Sequence, residues 1–144
     1  MSQRLSMSEL VFRVILFVVG LVILWTGINV AFGGIATLGL QGPTDFVSAT
    51  DPQAYAAQDS HVRFLGGLWL GVGLLFVAAA FRLRPLKPAV QAALVLIVIG
   101  GLARLSAMRF DVTFGPHILG SFIAEVAVMP LLLLWSLRVA RPTG

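Results

Sequence analysis

Apolar residues run along this chain in four long blocks, with polar residues gathered between them. The first block, Leu10–Phe32, carries Arg13 near its start and is then an unbroken run from Val14 to Trp25. The others are Val62–Phe81, Ala89–Met108 and Ile118–Val139. Each has about the 20 mostly apolar residues that a helix needs to cross a bilayer. The pattern predicts an all-α polytopic membrane protein, a bundle of four transmembrane helices over residues 10–32, 62–81, 89–108 and 118–139. Four spans leave both termini on the same side, and the chain, 1–144, reads as a single membrane domain.

The connections differ in character. The segment 82–88 is short and basic, and Pro85 and Pro88 predict a tight turn there. The segment 109–117 is a short loop that ends in Gly115-Pro116. The longest connection, 33–60, holds three Asp and no Lys or Arg. Within it, Asp51-Pro52 has the form of an N-cap followed by proline at the first helical position. No further proline follows until the end of the second block, so one helix is expected to start outside the membrane and run on into the second span. Tyr55, Asp59, Arg63 and Gly67 then share one face. The part before it, with Gly39, Gly42 and Pro43, is expected to be irregular.

Composition narrows the class. Of the 144 residues, 58% are hydrophobic and 11% charged, against roughly 25% charged in a soluble domain. So few charges could not cover a soluble core, and the spans leave little length for a catalytic domain. The net charge is +4, but the basic residues sit at the ends of apolar runs and form no groove for nucleic acid. There is no cysteine, which excludes disulfides, thiolate metal sites and cysteine nucleophiles. The first block is longer than the roughly 7–15-residue core of a signal peptide and lacks a small-x-small cleavage site, so it is expected to remain as a span.

Charge also sets orientation. Arg4, Arg13, Arg82, Arg84, Lys87, Arg138 and Arg141 fall on one side, and Arg63, Arg104 and Arg109 on the other, seven against three of the ten basic residues. The positive-inside rule puts both termini and the 82–88 turn in the cytoplasm and the 33–60 loop outside.

The residues that could carry chemistry are few. Glu125 lies about eight residues into the fourth span, or roughly 12 Å from its outer end. A charge near the bilayer centre costs ~2.5–3.5 kcal/mol on insertion scales, so Glu125 is expected inside the bundle and paired. Arg104, near the outer end of the third span, is its expected partner. Arg63 enters from the outer end of the second span, with Asp59 one turn before it. Asp59, Arg63, Arg104 and Glu125 are thus the candidate polar network or ligand site. One reading is a buried ion-pair network that fixes helix register. The other is a site for an anionic head group, because two Arg outweigh one Glu.

Gly66, Gly67, Gly71, Gly100 and Gly101 are the candidate helix-packing positions, since small residues let helices approach closely in lipid. Gly67 and Gly71, four apart, suggest one packing stripe. His61, His117, Asp59 and Asp111 have no diagnostic metal spacing, and no metal or other cofactor is expected. Ser121 sits one turn above Glu125, within reach of a hydrogen bond. Pro130 removes a donor from the fourth span and predicts a kink below Glu125. Trp25, Trp69 and Trp135 read as packing or interfacial anchors.

The run Asp59-x-x-x-Arg63-x-x-Gly66-Gly67-x-x-x-Gly71-x-Gly73, with Gly101-x-x-Arg104, Asp111-x-x-x-Gly115-Pro116 and Glu125, resembles the bacterial DUF4345 family of small four-helix membrane proteins. The resemblance covers roughly residues 55–130 and implies that Arg63, Arg104 and Glu125 act together. It implies a bacterial cytoplasmic (inner) membrane location but no activity, because the family's function is unknown.

No catalytic constellation is visible, and the chain is not expected to be an enzyme. The leading expectation is an accessory or structural membrane subunit whose partners are the bilayer, further copies of itself or a larger membrane complex. The alternative is a binding protein for a lipid or quinone-like amphiphile in the outer half of the bundle. A small transporter is the third reading. Small multidrug resistance exporters also have four spans, but they carry their essential glutamate in the first span, which here has no acid after Glu9.

Overall fold

Glycines decide how closely the first two long helices approach, and the computed structural model, which describes residues 6–37 and 50–139, shows how. Helix α1 is Met7–Gly33, followed by a 3-10 turn, Gly34–Ala36. Helix α2 is Pro52–Phe81, and α3 is Leu83–Ala103, continued by a 3-10 turn, Arg104–Ala107. A short α4, Phe110–Thr113, leads to α5, Leu119–Ile123, a π-helical stretch, Ala124–Val128, and α6, Met129–Arg138. There is no strand among the described residues. Four helical segments are long and apolar enough to cross a membrane: Met7–Ala36, Pro52–Phe81, Leu83–Ala107 and Leu119–Arg138. Gly39, Gly42, Pro43, Arg4 and Arg141 lie outside the described residues.

The chain groups into two compact units, residues 16–78 and residues 1–15 with 79–144. In the first of these, α1 and α2 run antiparallel with their closest approaches in step. A Cβ on Gly20 would lie 3.0 Å from the Val77 backbone, one on Gly73 2.7 Å from that of Leu24, and one on Gly27 2.7 Å from that of Leu70. Gly66 meets the backbone of Val30 and Ala31 in the same way. Glycine is supplied alternately by the two helices, seven residues apart on each. Without a hydrophobic force between helices in lipid, this close backbone contact is what holds them together. Trp69 Nε1 donates to Thr26 Oγ1 at 2.9 Å across the same contact.

Asp51 opens α2 as the spacing predicts. Its Oδ1 accepts from the Gln53 and Ala54 N–H groups at 2.9 and 3.1 Å, which satisfies two of the donors left free at a helix start. The helix then runs without a break to Phe81.

In the other unit, α3 and α6 pack side by side. Val90, Leu94, Ile97, Met129 and Leu132 are buried, Gln91 Nε2 donates to Ser136 Oγ at 3.0 Å, and Lys87 Nζ donates to the Val139 carbonyl at 2.7 Å. Phe12, fully buried, meets Trp135 edge to face at 5.5 Å, and Trp135 Nε1 donates to Ser8 Oγ at 3.0 Å.

The structure corrects the 82–88 turn. Only Arg82 separates α2 from α3, and both prolines lie in α3. Pro85 falls where the first turn has no intrahelical N–H bond to lose, whereas Pro88 removes one bond. Pro130 is accommodated in another way. The N–H of Met129 reaches back to the Ala124 carbonyl, so the helix absorbs the missing donor as a π-helical turn.

Candidate functional site

Three carboxylates lie within the described spans, and each is held by an arginine. Glu125 comes from the π-helical turn and Arg104 from the start of the 3-10 turn that follows α3. Arg104 Nε donates to Oε2 and Nη2 to Oε1, both at 2.7 Å. This is the two-pronged pairing that a guanidinium and a carboxylate make best. The Glu125 side chain is 13% exposed and that of Arg104 37%. Gly101 makes room for the pair, since a Cβ there would lie 2.6 Å from the Glu125 Cβ. Ser121, expected to bond Glu125, instead donates to the Ile118 carbonyl at 2.9 Å, the local back-bond open to a helical serine.

Asp59 and Arg63 form a second pair in the unit of residues 16–78. Arg63 Nε donates to Asp59 Oδ2 at 2.6 Å. Its Nη1 donates to the Phe32 carbonyl and its Nη2 to that of Gly33 at 3.4 Å. Asp59 Oδ1 accepts from the Ile35 N–H at 2.8 Å. The last carbonyls of a helix lack intrahelical donors and carry its negative dipole end, so a guanidinium there is doubly favourable. Gly34 has φ +65°, the left-handed conformation that ends helices at glycine, and a Cβ on it would collide with the Asp59 carboxylate. Asp59 and Arg63 thus finish α1.

A third pair was counted in the sequence only as basic charge. Glu9, 5% exposed, accepts from Arg13 Nη2 at 2.7 Å, and Arg13 Nη1 donates to the Ala80 and Phe81 carbonyls at 3.3 and 3.1 Å. Here an arginine of α1 finishes α2. The signal was present in Ser6-Met7-Ser8-Glu9, a capping-box spacing, with Arg13 one turn on. The Glu9 N–H does bond Ser6 Oγ, at 3.1 Å.

Outside the spans, Arg109 donates to Asp111 at 3.0 and 2.8 Å. These bonds hold the Asp111 carboxyl down at about 2 and raise the Arg109 guanidinium. With its carboxyl lowered, the pair is intact above the ordinary carboxylate range and is lost only as pH falls through about 2.

The packing glycines divide. Gly66 and Gly101 are buried against neighbouring elements, while a Cβ on Gly67, Gly71 or Gly100 would meet nothing within 4 Å. The Gly67–Gly71 stripe therefore makes no contact within the chain, and the close α1–α2 contact is made by Gly20, Gly27, Gly66 and Gly73. His61 and His117 are exposed, and among the described residues no three or more His, Asp or Glu gather as a metal site.

The profile described as Domain of unknown function (DUF4345) matches residues 11–136, most of the chain. The protein belongs to the DUF4345 family. All four spans and all three ion pairs of the spans overlap that match, apart from Glu9 just before it. Comparison with curated proteins and with solved structures gave no match.

Proposed function

We propose that this DUF4345 protein is a noncatalytic accessory or structural subunit of a bacterial cytoplasmic membrane. The observation that carries the reading is the closure of the charges. Glu9, Asp59 and Glu125 are each held by an arginine, and Arg13 and Arg63 spend their remaining contacts on helix-end carbonyls. A carboxylate that transfers protons or gates a substrate has to be able to change partners. Groups used this way fix helix ends and helix register instead. Native mass spectrometry of gently extracted protein tests the reading. A stable homo-oligomer or a complex with other membrane proteins is expected; a lone monomer carrying no protein partner would count against it.

One observation favours the second reading, a binder of lipid or quinone-like amphiphiles. Arg104 uses Nε and Nη2 for Glu125, and its Nη1 has no partner among the described residues. An anionic or carbonyl head group could take it. On this reading native protein retains a lipid or quinone through detergent exchange and Arg104→Gln loses it. Equal retention would remove the binding reading.

The orientation proposed is that of the positive-inside bias, with both termini cytoplasmic. Cysteine placed at Gln58 is expected to react with an impermeant reagent added outside intact cells, and Pro85→Cys to react only after permeabilisation. The reverse pattern would invert the topology.

A further inference from the structure

The connection from α3 to α5 exposes large apolar side chains where a water-facing loop would carry polar ones. Met108 is 73% exposed, Phe110 51%, Val112 48% and Phe114 53%. Phe110 stacks on Phe114 at 6.3 Å, and Phe114 meets the buried Phe122 edge to face at 5.6 Å. The aromatic row is therefore anchored at one end and open at the other.

Two further features of this segment suit a medium poorer in water. Much of its backbone is closed on itself. The N–H groups of Met108, Val112, Thr113, Phe114, Gly115, Ile118 and Leu119 all reach carbonyls within the segment, at 2.9–3.1 Å. An open loop would leave such groups to water, and backbone near hydrocarbon has to satisfy them internally. Its two formal charges, Arg109 and Asp111, neutralise each other at 2.8 Å. Leu102 before the segment and Leu119 and Ile123 after it are exposed as well, on helices long and apolar enough to span the membrane.

We infer that the segment 108–114 lies in the interface of the bilayer itself, with Met108, Phe110 and Phe114 inserted at the boundary between phospholipid head groups and acyl chains and Arg109 and Asp111 among the head groups. Apolar side chains with a neutral polar edge are the chemistry that this boundary accepts. The connection is thus a lipid-binding surface rather than a water-exposed turn.

The chain has no cysteine, so single substitutions Met108→Cys, Phe110→Cys and Phe114→Cys can carry a nitroxide label in the full-length protein. The labelled variants are reconstituted in phosphatidylcholine/phosphatidylglycerol vesicles, and collision with oxygen is compared with collision with a water-soluble nickel chelate. Val95→Cys, exposed in the middle of α3, and Gln53→Cys, exposed at the start of α2, are the references. The oxygen-to-nickel ratio is expected to be several-fold higher at the three positions than at Gln53 and below that at Val95. Ratios equal to Gln53 would overturn the inference. So would labels shielded from both reagents, which would mean that protein covers the segment. Helical circular dichroism identifies any variant that fails to fold, and the other positions then decide.

Discussion

Arg104→Ala is expected to lower the stability of the protein in bicelles by about 3–5 kcal/mol, the usual cost of breaking one side of a buried pair. The loss follows from what remains. Glu125 is 13% exposed, its side chain is short, and it is the seventh residue of its 20-residue span. Without Arg104 it loses both of its hydrogen bonds, and the facing Gly101 has no side chain to replace them. Glu125→Ala is expected to cost less, because Arg104 is 37% exposed and close to the end of its span, where a long side chain can carry its charge outward. The double variant Arg104→Met/Glu125→Leu is expected to recover most of the loss, since apolar replacements of a buried pair are often neutral or stabilising. Steric-trap or denaturant unfolding of the four proteins gives the comparison. Equal, small losses for both single variants would mean that the pair contributes little.

The second large effect separates glycines that look alike in the sequence. Gly27→Ala and Gly73→Ala each place a Cβ 2.7 Å from backbone of the facing helix, which cannot rotate away as a side chain would. Overpacking of this kind costs about 1–3 kcal/mol, and leucine at either position is expected to separate α1 from α2 altogether. Gly67→Ala and Gly71→Ala meet nothing within 4 Å and are expected to gain about 0.5–1 kcal/mol from the better helix former. The same unfolding measurement reads all four. Destabilisation by Gly71→Ala comparable to that by Gly27→Ala would show that another molecule occupies that face.

The four spans were legible because composition and block length express burial in lipid directly. The N-cap at Asp51 and the facing of Arg104 and Glu125 were legible too, the first from local turn chemistry and the second from the cost of a lone charge. What escaped was registry. A four-residue glycine spacing suggested Gly67 and Gly71, whereas α1 and α2 meet through glycines seven residues apart on each helix, and that choice depends on both helices at once. Glu9 and Arg13 were hidden for a related reason. An arginine at the end of an apolar block reads as topology charge, and only the nearness of the Ala80 and Phe81 carbonyls reveals it as a cap. Pro85 and Pro88 were overvalued as breakers, because the N–H groups of a helix's first turn have no intrahelical partner to lose and one missing bond further on does not end a helix.

The two helix-end clamps bear on how the chain is made. Arg13 waits for carbonyls at the end of α2, and the carbonyls at the end of α1 wait for Arg63. When α1 leaves the ribosome, neither set of partners has been synthesised. The first span therefore cannot reach its finished state alone in the bilayer. Its two helix-end contacts are completed only after α2 has been made, so the pairing of these helices is a later step than the synthesis of the first.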